Sequence, residues 1–292
     1  MPILQATCEY KRVRGCSIKA DVFLPSSPRP PVLLAIHGGA LISGSRKYLA
    51  GYQRSLYQKA GFAVVSIDYR LAPETRLAFI LEDIQDAIRW VIDEGARAFN
   101  FDPERWAVLG SSAGGYLSLM SGTFGLKPRA IISFYGYGDI LGDWYSQPSA
   151  TYCQQYPPIS REEAYACVGG REKSTGNEGR YQFYFYCRQQ GIWPQAVTGL
   201  SPLNDRDKLL PFCPVYNIQP GYPPTLLLHG DQDSDVPCQQ SIQMSQALTE
   251  QGIHNRLLLV GGAEHGFDAD TQNPEVKRVL DQVVNFLKEQ LN

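Results

Sequence analysis

Residues 110–115 read GSSAGG, two serines among residues almost too small to pack, directly after the apolar run WAVL (106–109). A serine hydroxyl becomes a useful nucleophile only when a base takes its proton and an acid holds that base in one tautomer. Gly110, Ser112 and Gly114 fit G-x-S-x-G, whereas centring the pattern on Ser111 would put Leu109 and Ala113 where glycines must stand. In this pattern a strand turns abruptly into a helix, the serine sits on a strained corner with its hydroxyl exposed, and small neighbours let the backbones pass. The apolar run before it and AGGYLSLM (113–120) after it supply the strand and the helix. Ser112 is therefore the candidate nucleophile, weighed against a small-residue turn that merely packs.

Four histidines are available as the base. His37 opens HGGA, His229 ends an apolar run, His254 precedes one, and His265 follows one in VGGAEHGF. His265, C-terminal to the serine and in a loop after the last candidate strand, is the expected base. The acid is expected from HGDQDSDVP (229–237), which offers Asp231, Asp233 and Asp235 at alternate positions, and spacing alone does not choose among them. A calcium loop opens with the same alternation, but it needs glycine at its sixth position and glutamate at its twelfth. Val236 and Ile242 stand there, so no metal is expected. HGGA (37–40) is the fourth piece, small residues after an apolar run whose N–H groups can converge on one oxygen. The overlapping GALISGSR (39–46) resembles a phosphate loop, but serine and arginine replace the lysine and the serine or threonine such a loop requires.

These pieces need a scaffold that brings them together. Short apolar runs alternate with amphipathic ones, the signature of parallel strands joined by helices. After an antiparallel start (TCEYKRV, SIKADVFL), strands are predicted at PVLLAIHG, FAVVSIDY, WAVLG, AIISFYG, PTLLLHG and RLLLVGG, about eight in all. Runs so continuously apolar must be covered on both faces, so the predicted fold is α/β, a mostly parallel central sheet with helices on both sides. From Tyr137 to Pro223 the alternation breaks and aromatics crowd in, above all in YQFYFY (181–186). An insertion of this length reads as a lid, which divides the chain into a core of 1–136 and 224–292 and a lid of 137–223. The aromatic run reads chiefly as lid core, with substrate contact by some of the insertion. Glu82, Asp83 and Asp86 read as the wet or lightly paired face of an amphipathic helix.

A chain of 292 residues, 43% apolar and 19% charged, has the composition of an ordinary globular protein with room for a large core. A net charge of -2 offers no basic footprint for nucleic acid. No apolar run is long enough to span a membrane, and the first residues lack the basic start and apolar stretch of a secretory signal, so the cytoplasm is the default compartment. Seven cysteines without CxxC pairing read as buried thiols. Cys153, Cys167 and Cys187 fall in the insertion, where a local disulfide is left open.

Taken together, HGGA, DYRLAP (68–73), GSSAGG, HGDQDSDVP and EHGF (264–267) resemble, in order and spacing, the α/β-hydrolase fold. More narrowly, they resemble the serine esterases and lipases related to hormone-sensitive lipase and to the bacterial feruloyl and acetyl esterases. The resemblance covers nearly the whole chain outside the insertion. It implies Ser112 as nucleophile, His265 as general base and Asp233, four residues beyond His229, as the orienting acid, in the chain order Ser, Asp, His. It also implies an oxyanion hole built from the N–H groups of Gly39, Ala40 and Ala113. The implied activity is hydrolysis of small-molecule carboxylic esters through an acyl-enzyme, with neither metal nor organic cofactor. Amide or peptide hydrolysis is the alternative on the same triad, and a ligand receptor that has lost catalysis is the alternative of another class. Two positions depart from the group: Ala40 stands where a third glycine is usual, and Ser111 where an acidic residue is common. Alanine keeps the donor N–H provided the backbone tolerates a methyl group.

Overall fold

The computed structural model describes residues 4–291. Strands β1 (Leu4–Val13) and β2 (Cys16–Phe23) form an antiparallel hairpin. The remaining strands are β3 (Val32–Ile36), β4 (Ala63–Ile67), β5 (Trp106–Ser111), β6 (Ala130–Phe134), β7 (Thr225–Gly230) and β8 (Asn255–Val260). They join in one eight-stranded sheet of order β1-β2-β4-β3-β5-β6-β7-β8, in which β2 meets β4 antiparallel and every later pairing is parallel. The mostly parallel sheet anticipated from the apolar runs is therefore present.

Side chains alternate across a strand, and both faces of this sheet are covered. Leu34 of β3 belongs to the same buried layer as Ile80 and Ile84 of the helix Leu77–Trp90 and Leu117 of the helix Ala113–Ser121. Its neighbours Leu33 and Ala35 belong to the opposite buried layer, which also holds Tyr57 of the helix Gly51–Lys59 and Val279 of the helix Pro274–Leu291. Registers such as Ile36 with Gly110, Ser111 with Phe134 and Gly230 with Val260 bring the carboxyl ends of adjacent strands level. The loops that follow gather at one rim, where open α/β sheets bind ligands.

Asp83 corrects the expectation of a wet or lightly paired helix face, being both buried and fully paired. It is fully buried, its Oδ2 accepting from Arg70 Nε and its Oδ1 from Arg70 Nη2, both at 2.8 Å, with Lys11 Nζ 2.7 Å away. The β1 strand lies over this stripe of the helix and supplies Lys11, so partners distant in the chain neutralise what periodicity assigns to solvent. Arg46, the last residue of the phosphate-loop look-alike, is spoken for in the same way, by Asp21 at 2.8 Å and Asp68 at 2.7 Å.

Between β6 and β7 the chain forms short helices, among them Ala150–Gln155, Arg161–Ala166, Tyr181–Gln190 and Trp193–Thr198. Two buried polar contacts dock them on the sheet's rim. Arg180 donates Nη2 to Glu74 Oε2 at 2.6 Å, Nη1 to Glu74 Oε1 at 2.8 Å and Nε to the Ile42 carbonyl at 2.6 Å. The Trp193 indole donates to the carbonyl of Ala40 at 3.1 Å. All seven cysteines are free thiols, but against the expectation of burial only Cys16, Cys187 and Cys213 are buried, while Cys8, Cys167 and Cys238 are half-buried and Cys153 is exposed; packing and these contacts hold the insertion. Among the described residues no helix is long and apolar enough to cross a membrane.

Arg180→Met would leave Glu74 buried with only Lys173 Nζ, at 3.5 Å, as a cationic neighbour. Breaking a buried pair from one side typically costs about 3–5 kcal/mol. The urea midpoint of the variant should fall accordingly, with the slope of the transition unchanged.

Candidate active site

Ser112 lies between β5 and the helix Ala113–Ser121 with φ 55° and ψ -120°, a conformation L-residues rarely adopt. Its surroundings enforce it. The Ser112 N–H donates to the Phe134 carbonyl at 2.9 Å, and a methyl group on Gly110 would overlap the carbonyl of Gly114. A methyl group on Gly114 would in turn strike the carbonyl of Ile36. The small residues around the serine are thus required by backbones crossing in contact.

His265 follows β8 and donates Nδ1–H to Asp233 Oδ2 at 2.6 Å. The same Oδ2 lies 3.2 Å from His229 Nε2, and Oδ1 accepts from the N–H groups of Asp235 at 2.9 Å and Val236 at 2.8 Å. His229 is held in turn by Ser241 Oγ at Nδ1, 2.7 Å, and by the Val236 carbonyl at Nε2, 2.9 Å. Burial would raise the pKa of Asp233, whose side chain has no exposed surface, but hydrogen bonds from His229 and His265 hold it well below the carboxylate range. Burial would likewise lower the pKa of His265. The hydrogen bond to Asp233 and the charges of Asp235 and Asp233 outweigh that and leave it above the usual imidazole value.

The three alternating carboxylates diverge. Asp231 Oδ1 accepts from the N–H of Gly262 at 2.7 Å and ties the loop after β7 to the turn after β8. Asp233 faces His265. Asp235 turns to the insertion, where its Oδ1 accepts from Tyr184 Oη at 2.6 Å, Tyr152 Oη at 3.0 Å and Arg188 Nη1 at 2.6 Å.

Ser112 and His265 border one cavity of about 350 Å³. Gly39 and Ala40 line it from the core, and Tyr152, Tyr184 and Phe185 from the insertion, so the aromatic run is both insertion core, through the buried Phe183, and cavity wall. A larger groove of about 680 Å³, between the helices Gly51–Lys59 and Pro274–Leu291, contains none of these residues. Ser112 Oγ and His265 Nε2 are not hydrogen-bonded to each other; contacts of this kind often tighten only when substrate is bound.

In the HGGA segment Gly39 has φ 101°, and Ala40 and Leu41 follow at 56° and 64°. Ala40 therefore accepts its methyl group in a left-handed conformation, its carbonyl held by Trp193. The N–H groups of Gly39, Ala40 and Ala113 make no backbone hydrogen bond among the described residues. His37 braces the segment, donating Nδ1–H to the Gly38 carbonyl at 2.7 Å and stacking on Tyr69 with ring centres 4.2 Å apart. Burial pushes its pKa down to about 4, so it stands as a neutral strut.

Several residues of the site escaped the sequence. Tyr135, directly after β6, presents its ring edge-on to His265 at 4.6 Å and donates Oη–H to Asp268 Oδ1 at 2.5 Å. Its place at a strand end is a usable signal, since the other site loops begin at strand ends too. Arg188 and the second histidine contact of Asp233 leave no such mark.

The sheet and the loops at its rim have the architecture of the α/β-hydrolase fold class. An α/β-hydrolase superfamily protein from Enterococcus faecalis matches at 24% identity over 94% of this chain and 96% of its own, with a TM-score of 0.76. EstE1, a thermophilic carboxylesterase cloned from a metagenomic library, matches at 24% identity over 100% of this chain and 91% of its own, with a TM-score of 0.72. The BD-FAE family model matches residues 20–129, and the prolyl oligopeptidase family model residues 184–292. Within the class the chain resembles the esterases related to hormone-sensitive lipase. Among curated proteins, the non-reducing polyketide synthase Preu3 of Preussia isomera is 27% identical over 95% of this chain, which spans only 13% of that synthase.

Asp233→Asn removes the anion that favours the imidazolium. The titration midpoint of His265, followed by NMR, should fall by about one unit or more. Gly114→Ala should destabilise the fold by about 1–3 kcal/mol in urea unfolding, because the added methyl has backbone and not a flexible side chain to displace.

Proposed function

We propose that the protein is a serine hydrolase that cleaves carboxylic esters through an acyl-enzyme. In this reading Ser112 attacks the ester carbonyl as His265 accepts its proton, and Asp233 stabilises the imidazolium. The N–H groups of Gly39, Ala40 and Ala113 receive the developing oxyanion, and His265 returns its proton to the leaving alcohol. Water, activated by the same imidazole, then releases the acid. Residues 137–223 serve as a lid that shapes the cavity and hence the choice of substrate.

One observation carries this reading: an imidazole locked to a saturated, buried carboxylate at 2.6 Å borders the same cavity as a serine held at a strained strand-to-helix corner. The description of EstE1 as a carboxylesterase supports the ester side. The prolyl oligopeptidase match keeps amide cleavage as the second reading on the same residues. The polyketide synthase relatives add polyketide-derived acyl groups to the substrates worth testing.

Ser112→Ala should reduce turnover of nitrophenyl esters by roughly four to six orders of magnitude and abolish labelling by a fluorophosphonate probe. A wild-type protein that labels no better than the variant would favour a non-catalytic receptor. Paired ester and anilide substrates with a common acyl group separate the two hydrolytic readings.

A further inference from the structure

Asp235 is not used by the triad, yet it stands at the meeting point of the insertion and the acid loop. All three side-chain donors to its Oδ1 come from the insertion: Tyr152, Tyr184 and Arg188. Arg188 also donates to the Asp235 carbonyl at 3.0 Å, so it grips side chain and backbone together. The arginine is itself 3% exposed, its guanidinium lying over the rings of Tyr145 and Tyr152 at 4.9 and 4.8 Å. A guanidinium so enclosed needs an anion, and Asp235 is that anion.

The other oxygen is free of these duties. Oδ2 accepts no hydrogen bond among the described residues, and it lies 3.8 Å from His265 Nε2, on the side of the ring away from Asp233. Asp235 borders the same cavity as Ser112. His265 is thus flanked by two carboxylates, one at each nitrogen, and the second is presented by the insertion through Arg188.

We infer that Asp235 is a positioning residue for His265: a second carboxylate that favours the imidazolium from its Nε2 side, with a strength set by Arg188 of the insertion. This rests on His265 being the base. As the proton leaves Ser112, positive charge forms on a ring that already has one anion at Nδ1. A second anion near Nε2 stabilises that charge further, while the guanidinium behind it tempers the effect. The other polar and titratable groups facing the ring are Tyr135, edge-on, Asp268 in the following turn, and Ser112. From the insertion, Tyr152, Tyr181 and Tyr184 border the same cavity, but burial raises their pKa values and keeps them neutral, so the Arg188–Asp235 pair is the charged route by which the insertion acts on the base.

Two near-isosteric variants that break the same ion pair give opposite signs. Asp235→Asn removes the anion but keeps an acceptor for Arg188, so the midpoint of His265 should fall by about half to one unit. Arg188→Gln removes the cation but keeps a donor, so the midpoint should rise by about the same amount. Both are read by NMR on the full chain, with the imidazole signal assigned through His265→Gln, and in parallel from the acid limb of kcat/KM for a nitrophenyl ester. Opposite shifts support the inference. Shifts of the same sign, or none for Asp235→Asn, overturn it and leave the pair as a clamp alone. If Arg188→Gln does not yield folded protein, Asp235→Asn decides by itself. An NMR shift without a matching shift of the rate profile supports the contact and removes His265 as the base.

Discussion

A carboxylate with no exposed surface must have its lone pairs filled from within the protein, and the rest of the site is organised around meeting that demand for Asp233. Two backbone N–H groups of its own loop, His229 from the end of β7 and His265 from the turn after β8 provide the donors. Each contact also fixes the group that makes it. The loop is curled tightly enough to point Asp235 outward, His229 is locked between Ser241 and Val236, and His265 is left with Nε2 toward the cavity. In a low-dielectric setting an incomplete set of donors would be severely destabilising, so the geometry of the imidazole follows from satisfying the acid.

The opposite wall is governed by steric contact. At Gly110, Gly114 and Ile36 three stretches of backbone touch, and the serine is raised on a corner because nothing larger than hydrogen fits between them. The HGGA segment adds a second strained backbone, held by Trp193 and the His37–Tyr69 stack. Hydrogen bonding on one wall and excluded volume on the other act through independent sets of residues. Both converge because adjacent parallel strands end level at one rim.

The sheet was legible because its strands are apolar on both faces and its site loops start where those runs stop. Ser112 and His265 are marked by motif and position, and the glycines around the serine signal backbones that cross in contact. What could not be read was the matching of distant polar groups. Asp83 looks solvated until Lys11 and Arg70 are placed beside it, and Asp231, Asp233 and Asp235 look equivalent until a turn, an imidazole and an arginine claim one each. The insertion was visible as an interruption and as aromatic composition. Its short helices follow no long period, and its anchoring by Arg180 and Arg188 depends on partners more than forty positions away.

The part of the cavity wall made by Tyr152, Tyr184 and Phe185 could change shape without touching Ser112 or the contact between His265 and Asp233. Here that freedom has a boundary. Because Arg188 grips both the side chain and the backbone of Asp235, a wall rebuilt without an equivalent cation would loosen the loop two residues from the carboxylate that holds His265.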